Sequence, residues 1–114
     1  MTVILPYPPS ANRYWRVVNG RPIVSKAARE YKIEAGWKAK AQGQQIMVGP
    51  VSVTIAVYRP QKRGDLDNLL KVILDALNGI AYDDDAQIVE IKARRFDDKS
   101  NPRVEIDVIE VAGY

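Results

Sequence analysis

Residues 51–79 read VSVTIAVYRPQKRGDLDNLLKVILDALNG, and this stretch decides the fold. Valine or isoleucine at every second position from Val51 to Val57 predicts a strand that places one face on a core. After Pro60, leucine and isoleucine recur at helical spacing from Leu66 to Leu77, and the Asn-Gly pair that follows is a typical helix end. A strand joined to a helix with one apolar side indicates a sheet covered by helices.

Signals for further elements lie on both sides of this stretch. They predict a strand at 3–5, a hairpin around Asn19-Gly20, a helix capped by Ser25 that reaches Gln42, and strands at 89–94 and 104–108. We therefore predict an α+β fold of order β-β-β-α-β-α-β-β, with two helices packed on one face of a mixed β-sheet. If the last two strands pair antiparallel, Glu105 and Asp107 face basic residues on the neighbouring strand.

Length and composition limit the chemistry of this chain. With 114 residues, 46% of them hydrophobic, the sequence predicts a single domain over residues 1–114. Cysteine and histidine are both absent, which excludes disulfides, thiolate nucleophiles, Ser/His dyads and the usual zinc ligands. The sequence has neither a run of about 18 apolar residues nor a typical signal peptide, so we expect a soluble cytoplasmic protein.

The net charge of +3 is divided unevenly along the chain. Residues 1–63 hold eleven Lys/Arg and two acidic residues, a net +9, whereas residues 64–114 hold six Lys/Arg and twelve acidic residues, a net −6. The first half therefore predicts a surface that binds a polyanion, and the second half predicts a cation site. A solvated basic face is the simpler alternative.

Carboxylates gather around one lysine in the acidic half. Asp65 and Asp67 lie two residues apart before a helix, Lys71 stands one turn above Asp67, and Asp85 follows the helix. If the chain returns along the helix, Asp85 lies beside the first two aspartates, and the three carboxylates can hold one or two Mg²⁺ ions. Lys71 is then placed to neutralise charge on a phosphate.

Ordinary structural roles explain each of these features taken alone. Aspartates at a helix start cap free N–H groups, Asp67 and Lys71 can form a surface ion pair, and Asp83–Asp85 can be a solvated loop. A calcium-binding EF-hand loop is a poor alternative, because counting from Asp65 places Leu70 and Ala76 where that loop needs glycine and glutamate.

Several segments taken together resemble the RusA-type Holliday-junction resolvases, or crossover junction endodeoxyribonucleases. They are LPYPPSANRYWR at 5–16, RGDLDNLLK at 63–71, DAL at 75–77 and DDAQI at 84–88, and they cover nearly the whole chain. The resemblance implies a RusA-like fold, Mg²⁺ ligands at Asp65, Asp67 and Asp85, and a catalytic lysine at Lys71. It also implies a homodimer that nicks two opposed strands of four-way DNA in recombination and repair.

Two departures from the family pattern leave questions open. Three aspartates stand where the pattern needs two, so Asp84 is an alternative to Asp85 as the third ligand. Gly64 replaces a basic residue, which leaves Lys62 and Arg63, together with Arg13, as the expected DNA contacts nearest the site.

The sequence thus favours a Mg²⁺-dependent, structure-selective DNA endonuclease that resolves four-way junctions. Two alternatives are kept. One is a non-catalytic protein that binds branched DNA, and the other is a metal-dependent nuclease for another structured nucleic acid.

Overall fold

The computed structural model describes residues 1–9, 15–61 and 66–113, with the backbone alone for residues 15–18 and 21–24. Within these residues the order of strands and helices is the predicted one. The elements are β1 (Val3–Leu5), β2 (Trp15–Val18), β3 (Arg21–Val24), α1 (Lys26–Ala41), β4 (Val51–Arg59), α2 (Leu66–Ala76), the short 3₁₀ helix η1 (Asp85–Gln87), β5 (Ile88–Asp97) and β6 (Arg103–Glu110).

The main sheet has four strands in the order β1-β6-β4-β5. The β4–β5 pair is parallel, and the β4–β6 and β1–β6 pairs are antiparallel. The sheet is therefore mixed, as predicted. It is parallel at β4–β5 because α2 carries the chain back across the sheet between these two strands.

The expected pairing of the last two strands is wrong, because β4 lies between β5 and β6. Glu105 instead accepts a hydrogen bond from Nε of Arg103 on its own strand, at 2.8 Å. Asp107 accepts a hydrogen bond from the hydroxyl of Thr2 and lies 3.5 Å from the N-terminal ammonium group.

One face of the sheet and both helices enclose the core. Val53, Ile55 and Val57 of β4 are buried, and their register partners on β6 are buried apolar residues too. The helices contribute mainly alanine and branched aliphatic side chains, and one tyrosine, to the same cluster: Ala28, Tyr31, Ala35 and Ala39 from α1, and Leu69, Val72, Ile73 and Ala76 from α2. The α+β prediction, with a mixed sheet and two helices, is confirmed.

Local signals set the hairpin and the first helix. Asn19 and Gly20 both have positive φ, 53° and 76°, as a two-residue hairpin turn requires. The Ser25 hydroxyl accepts a hydrogen bond from the amide of Ala28 at 3.2 Å and so caps α1. At the far end of α1, the Gln42 side chain bonds both the N–H and the C=O of Ile4, each at 2.7 Å.

Neither described helix has the length and apolar character needed to cross a membrane.

Candidate active site

Four of the predicted site residues, Arg13, Lys62, Arg63 and Asp65, lie outside the described residues. The structure places the other three, Asp67, Lys71 and Asp85.

The first turns of α2 present Asp67 and Lys71 to solvent. Asp67 lies in the first turn and Lys71 one turn later on the same side, and both side chains are exposed. Asp75 lies one turn beyond Lys71 on the same side and is half-buried. Asn78 lies past the end of the helix at Ala76, and its Oδ1 is enclosed by the protein.

The loop after α2 packs against the last turn of that helix. Tyr82 is fully buried, and its hydroxyl donates a hydrogen bond to the Leu74 carbonyl at 2.6 Å. The Gly79 amide bonds the Tyr82 carbonyl at 2.7 Å, which closes the loop. Burial raises the pKa of Tyr82 well above its ordinary value, and the nearby carboxylates of Asp85 and Asp75 raise it further. The loop therefore holds Asp85 at the C-terminal end of α2.

Asp84 and Gln87 cap η1 reciprocally. The Asp84 carboxylate accepts a hydrogen bond from the amide of Ala86 at 2.9 Å. Oε1 of Gln87 accepts hydrogen bonds from the amides of Asp83 and Asp84, at 2.8 and 3.1 Å. Nε2 of Gln87 donates to the carbonyls of Met47 and Gly49, at 3.1 and 2.8 Å, and so ties the loop to the segment before β4.

The carboxyl groups of Asp84 and Asp85 differ in their surroundings although both are exposed. The hydrogen bond from the Ala86 amide lowers the pKa of Asp84, and a hydrogen bond with Asp85 lowers it further. The same carboxyl–carboxyl hydrogen bond raises the pKa of Asp85, with smaller contributions from desolvation and the charges of Asp84 and Asp75. A hydrogen bond from its own backbone amide partly offsets this rise. Asp85 thus stands in a negative field that a cation would relieve.

Within one chain, the side chain of Asp85 does not lie beside those of Asp67 and Lys71. Asp67 and Asp75 are eight residues apart on α2, about 12 Å along the axis at the usual rise per residue. The acids that influence Asp85 are Asp84 and Asp75. Among the residues that the structure describes, no three acidic side chains form a group able to hold a metal ion. The sequence predicted that the chain returns along the helix and brings Asp85 beside Asp67. Within a single chain it does not, because the loop that carries Asp85 ends at the start of β5.

The donor set nevertheless suits a hard divalent cation. Asp67 and Asp85 offer exposed carboxylate oxygens, the ligand type that Mg²⁺ prefers, and Mg²⁺ commonly keeps several waters beside one or two carboxylates. The sequence reasoning missed the positioning roles of Gln87 and Tyr82. The spacing of Asp84 and Gln87 is that of a capping box, which was a usable signal, whereas nothing local indicated the bond from Tyr82 to α2.

A known protein family and several known proteins are similar to this chain. Residues 6–109 match a family model described as Endodeoxyribonuclease RusA. The crossover junction endodeoxyribonuclease RusA of Enterobacteria phage 82 is 33% identical over 114 residues, covering 96% of this chain and 93% of the relative. The protein of the same name in Escherichia coli is 34% identical over 113 residues, covering 96% and 94%. The uncharacterized protein YqaN of Bacillus subtilis is 33% identical over 91 residues, covering 60% and 63%.

Proposed function

Because this chain belongs to the RusA family of endodeoxyribonucleases, we propose that it cuts four-way DNA junctions with the help of Mg²⁺. The observation that carries the proposal is the match over 96% of the chain to relatives named crossover junction endodeoxyribonucleases. We infer a role in DNA recombination and repair, and such work on DNA favours the cytoplasmic location expected from the sequence.

Asp67, Asp85 and Asp65 are the proposed ligands of one or two Mg²⁺ ions. Because Asp67 and Asp85 lie at opposite ends of α2, they would come together only between two copies of the chain. When bound, Mg²⁺ makes a water a better nucleophile and offsets the negative charge that develops on the phosphate. Asp85 is preferred to Asp84 as a ligand because the Asp84 carboxylate already accepts the Ala86 amide in the cap of η1.

Lys71 supplies a positive charge to the phosphate. Its exposed ammonium group stands one turn above Asp67 on the same side of α2. A compact charge held there stabilises the transition state more than the ground state, provided that the scissile phosphate lies between Lys71 and the carboxylates.

The basic half of the chain binds the DNA backbone. Lys26, Lys32, Lys38 and Lys40 are exposed along α1, and the expected contacts nearest the site are Arg13, Lys62 and Arg63. Neutralising phosphates releases counterions, so junction binding should weaken steeply as salt is raised. A homodimer would match the two opposed strands of a junction with two equivalent sites and so give paired nicks.

The decisive experiment compares labelled four-way, three-way and linear DNA, each with Mg²⁺ and with EDTA. We expect nicks in the four-way substrate with Mg²⁺ alone. Asp67→Asn should keep junction binding and lose cleavage. The control Asp107→Asn, on β6 where the asparagine oxygen can still accept the Thr2 hydroxyl, should behave as wild type. Tight junction binding without nicks under any metal condition would favour the non-catalytic alternative, and preferential cutting of another substrate would favour a different nuclease.

A further inference from the structure

We propose that α1 binds an unpaired strand of the DNA substrate, with one base stacked on the indole ring of Trp37 and the flanking phosphates bound by Lys32 and Lys40. This inference rests on the proposed function, because it takes DNA as the ligand. It gives α1 a contact with a base in addition to the phosphate contacts proposed above.

An apolar concavity of about 370 Å³ lies between α1 and the loop after α2. Trp37 and Ile33 on α1 are 74% and 63% exposed, so both side chains are open to a ligand. An exposed indole is a stacking surface for another planar ring, and a nucleic-acid base has such a ring whatever its sequence. We call the residues that line the concavity the Trp37 surface: Lys32, Ile33, Gly36, Trp37, Lys40 and Ile80.

The floor of the Trp37 surface is formed where α1 and the loop approach closely. A methyl group at Gly36 would lie 3.0 Å from Cδ1 of Ile80, closer than side chains normally come. Ile80 belongs to the loop that the buried Tyr82 ties to α2 and that continues to Asp85. A strand on the Trp37 surface is therefore bound beside the loop that carries a proposed metal ligand.

The charges of the Trp37 surface favour an anionic ligand. Lys32 and Lys40 are the charged residues among its six members, and both are exposed. Neither has an ion pair with another residue that the structure describes. They are eight residues apart on α1, about 12 Å along the axis. A strand stacked as in a duplex advances about 3.4 Å per nucleotide, so the two lysines span about three to four nucleotides.

The glutamates of α1 do not oppose such a ligand, because each already has a lysine partner. Oε1 of Glu34 lies 2.9 Å from Nζ of Lys38, and Oε1 of Glu30 lies 3.9 Å from Nζ of Lys26. At about 100° of rotation per residue, Glu34 and Lys38 project on the side of Trp37 that faces away from the concavity.

A single strand fits this arrangement better than the other possible ligands. Its phosphates repeat at fixed intervals and so meet both lysines while a base reaches Trp37. A duplex hides the faces of its bases in the stack, so it can use the lysines but not the indole ring. An acidic peptide with an apolar side chain and a second copy of this chain are the alternatives that the test must separate from DNA.

Fluorine NMR reports contact at Trp37 directly. The chain has two tryptophans, so protein labelled with 5-fluorotryptophan gives two resonances, and the one that Trp37→Phe loses belongs to Trp37. Single-stranded oligothymidylate should shift this resonance, whereas linear duplex should leave it in place.

Three results would overturn the inference. An equal shift with linear duplex would show that no unpaired base is needed. A shift with an acidic, phenylalanine-containing peptide but not with oligothymidylate would assign the surface to a protein partner. A shift produced by raising the protein concentration without DNA, and not changed further by oligothymidylate, would assign it to a second copy.

Substitution of Trp37 tests the stacked base by affinity. Trp37→Ala should weaken binding of oligothymidylate about 5- to 100-fold, which is the usual contribution of one stacked base. Trp37→Phe keeps an aromatic ring and should lose less, and linear duplex should bind all variants equally. Val48→Ala shortens another exposed apolar side chain, 77% exposed, and is the matched control that should bind as wild type. Wild-type affinity of Trp37→Ala for oligothymidylate would contradict the proposal. Because Trp37 lies outside the core, its variants should keep the wild-type midpoint in urea denaturation.

The lysines are tested by the salt dependence of binding. Lys32→Gln and Lys40→Gln should each reduce the slope of log affinity against log salt for oligothymidylate by about 0.7, since each removes one phosphate contact. Lys99→Gln, at an exposed position between β5 and β6, is the charge-matched control and should keep the wild-type slope. Unchanged slopes for both α1 variants would remove the two lysines from the site.

The outcomes separate this inference from the proposed function. A wild-type protein that cuts no junction, but whose Trp37 resonance shifts with oligothymidylate, refutes the function and leaves strand binding at Trp37 standing. A wild-type protein that nicks junctions with Mg²⁺, but whose Trp37 resonance does not respond to oligothymidylate, refutes strand binding at Trp37 alone.

Discussion

Gln87 and Asp84 cap each other across η1, and the same Gln87 side chain bonds carbonyls some 38–40 residues earlier in the chain. The side-chain oxygen of Gln87 accepts hydrogen bonds from the backbone amides of Asp83 and Asp84. Its side-chain nitrogen donates to two carbonyls of the segment before β4. Asp84 is therefore a structural residue that caps η1, and Asp85 beside it is the proposed metal ligand.

Gln87→Ala should weaken both metal binding and cleavage. Loss of a group that orients a metal ligand typically lowers metal affinity or activity about 10–100-fold. We also expect the free energy of unfolding to fall by about 1–3 kcal/mol, because backbone groups that bonded the amide lose their partner. Mn²⁺ binding followed by electron paramagnetic resonance and urea denaturation would measure the two effects. Gln45→Ala, at an exposed position before β4, is the control and should change neither.

Asp84→Asn and Asp85→Asn should have different effects. The asparagine oxygen at position 84 can still accept the Ala86 amide, so Asp84→Asn should lower cleavage by only about tenfold or less. Asp85→Asn removes a charged ligand and should lower single-turnover cleavage at least about a hundredfold. If the losses are reversed in size, Asp84 is the metal ligand and the structural assignment of the pair is wrong.

Sequence reasoning succeeded where the deciding interactions are local. The cap at Ser25, the turn at Asn19-Gly20 and the alternation in β4 each depend on neighbours a few residues away. It failed where distant segments compete. β4 lies between β5 and β6 because α2 forms a parallel crossover from β4 to β5. No pattern within either strand indicates this crossover. The place of Asp85 likewise depends on the length of α2 and on contacts made by Tyr82 and Gln87.

Lys71→Ala should lower turnover far more than junction affinity. Lys71 is one cation among many on a basic protein, so its loss should change the dissociation constant by less than about threefold. Its position above Asp67 should matter in the transition state, where we expect a loss of cleavage of at least about a hundredfold. Single-turnover cleavage and fluorescence anisotropy with a labelled junction would separate the two. Lys99→Ala, on an exposed turn, is the charge-matched control, and equal losses in turnover and affinity for Lys71→Ala would make Lys71 a binding residue.

Tyr82→Phe should destabilise the protein at neutral pH and change its response to alkali. The buried hydroxyl donates to the Leu74 carbonyl, and its removal should lower the free energy of unfolding by about 1–2 kcal/mol. In the unfolded chain a tyrosine ionises near pH 10. In the folded chain, burial and the charges of Asp85 and Asp75 raise the pKa of Tyr82 well above that value, so the folded state keeps its proton longer. Above about pH 10 the unfolded state then binds fewer protons than the folded state, and wild-type stability must fall as the pH rises.

The phenylalanine variant lacks this proton and should lose stability less steeply over the same range. Urea denaturation between pH 8 and pH 11 would therefore bring the two proteins closer in stability as the pH rises. Tyr58→Phe is a useful control because the ring of Tyr58 stacks on Phe96 at 4.9 Å, a contact that survives removal of the hydroxyl. Parallel curves for the wild type and Tyr82→Phe would show that Tyr82 ionises as readily in the folded protein as in the unfolded chain. That result would contradict the close packing of the loop on α2 by which Asp85 is placed.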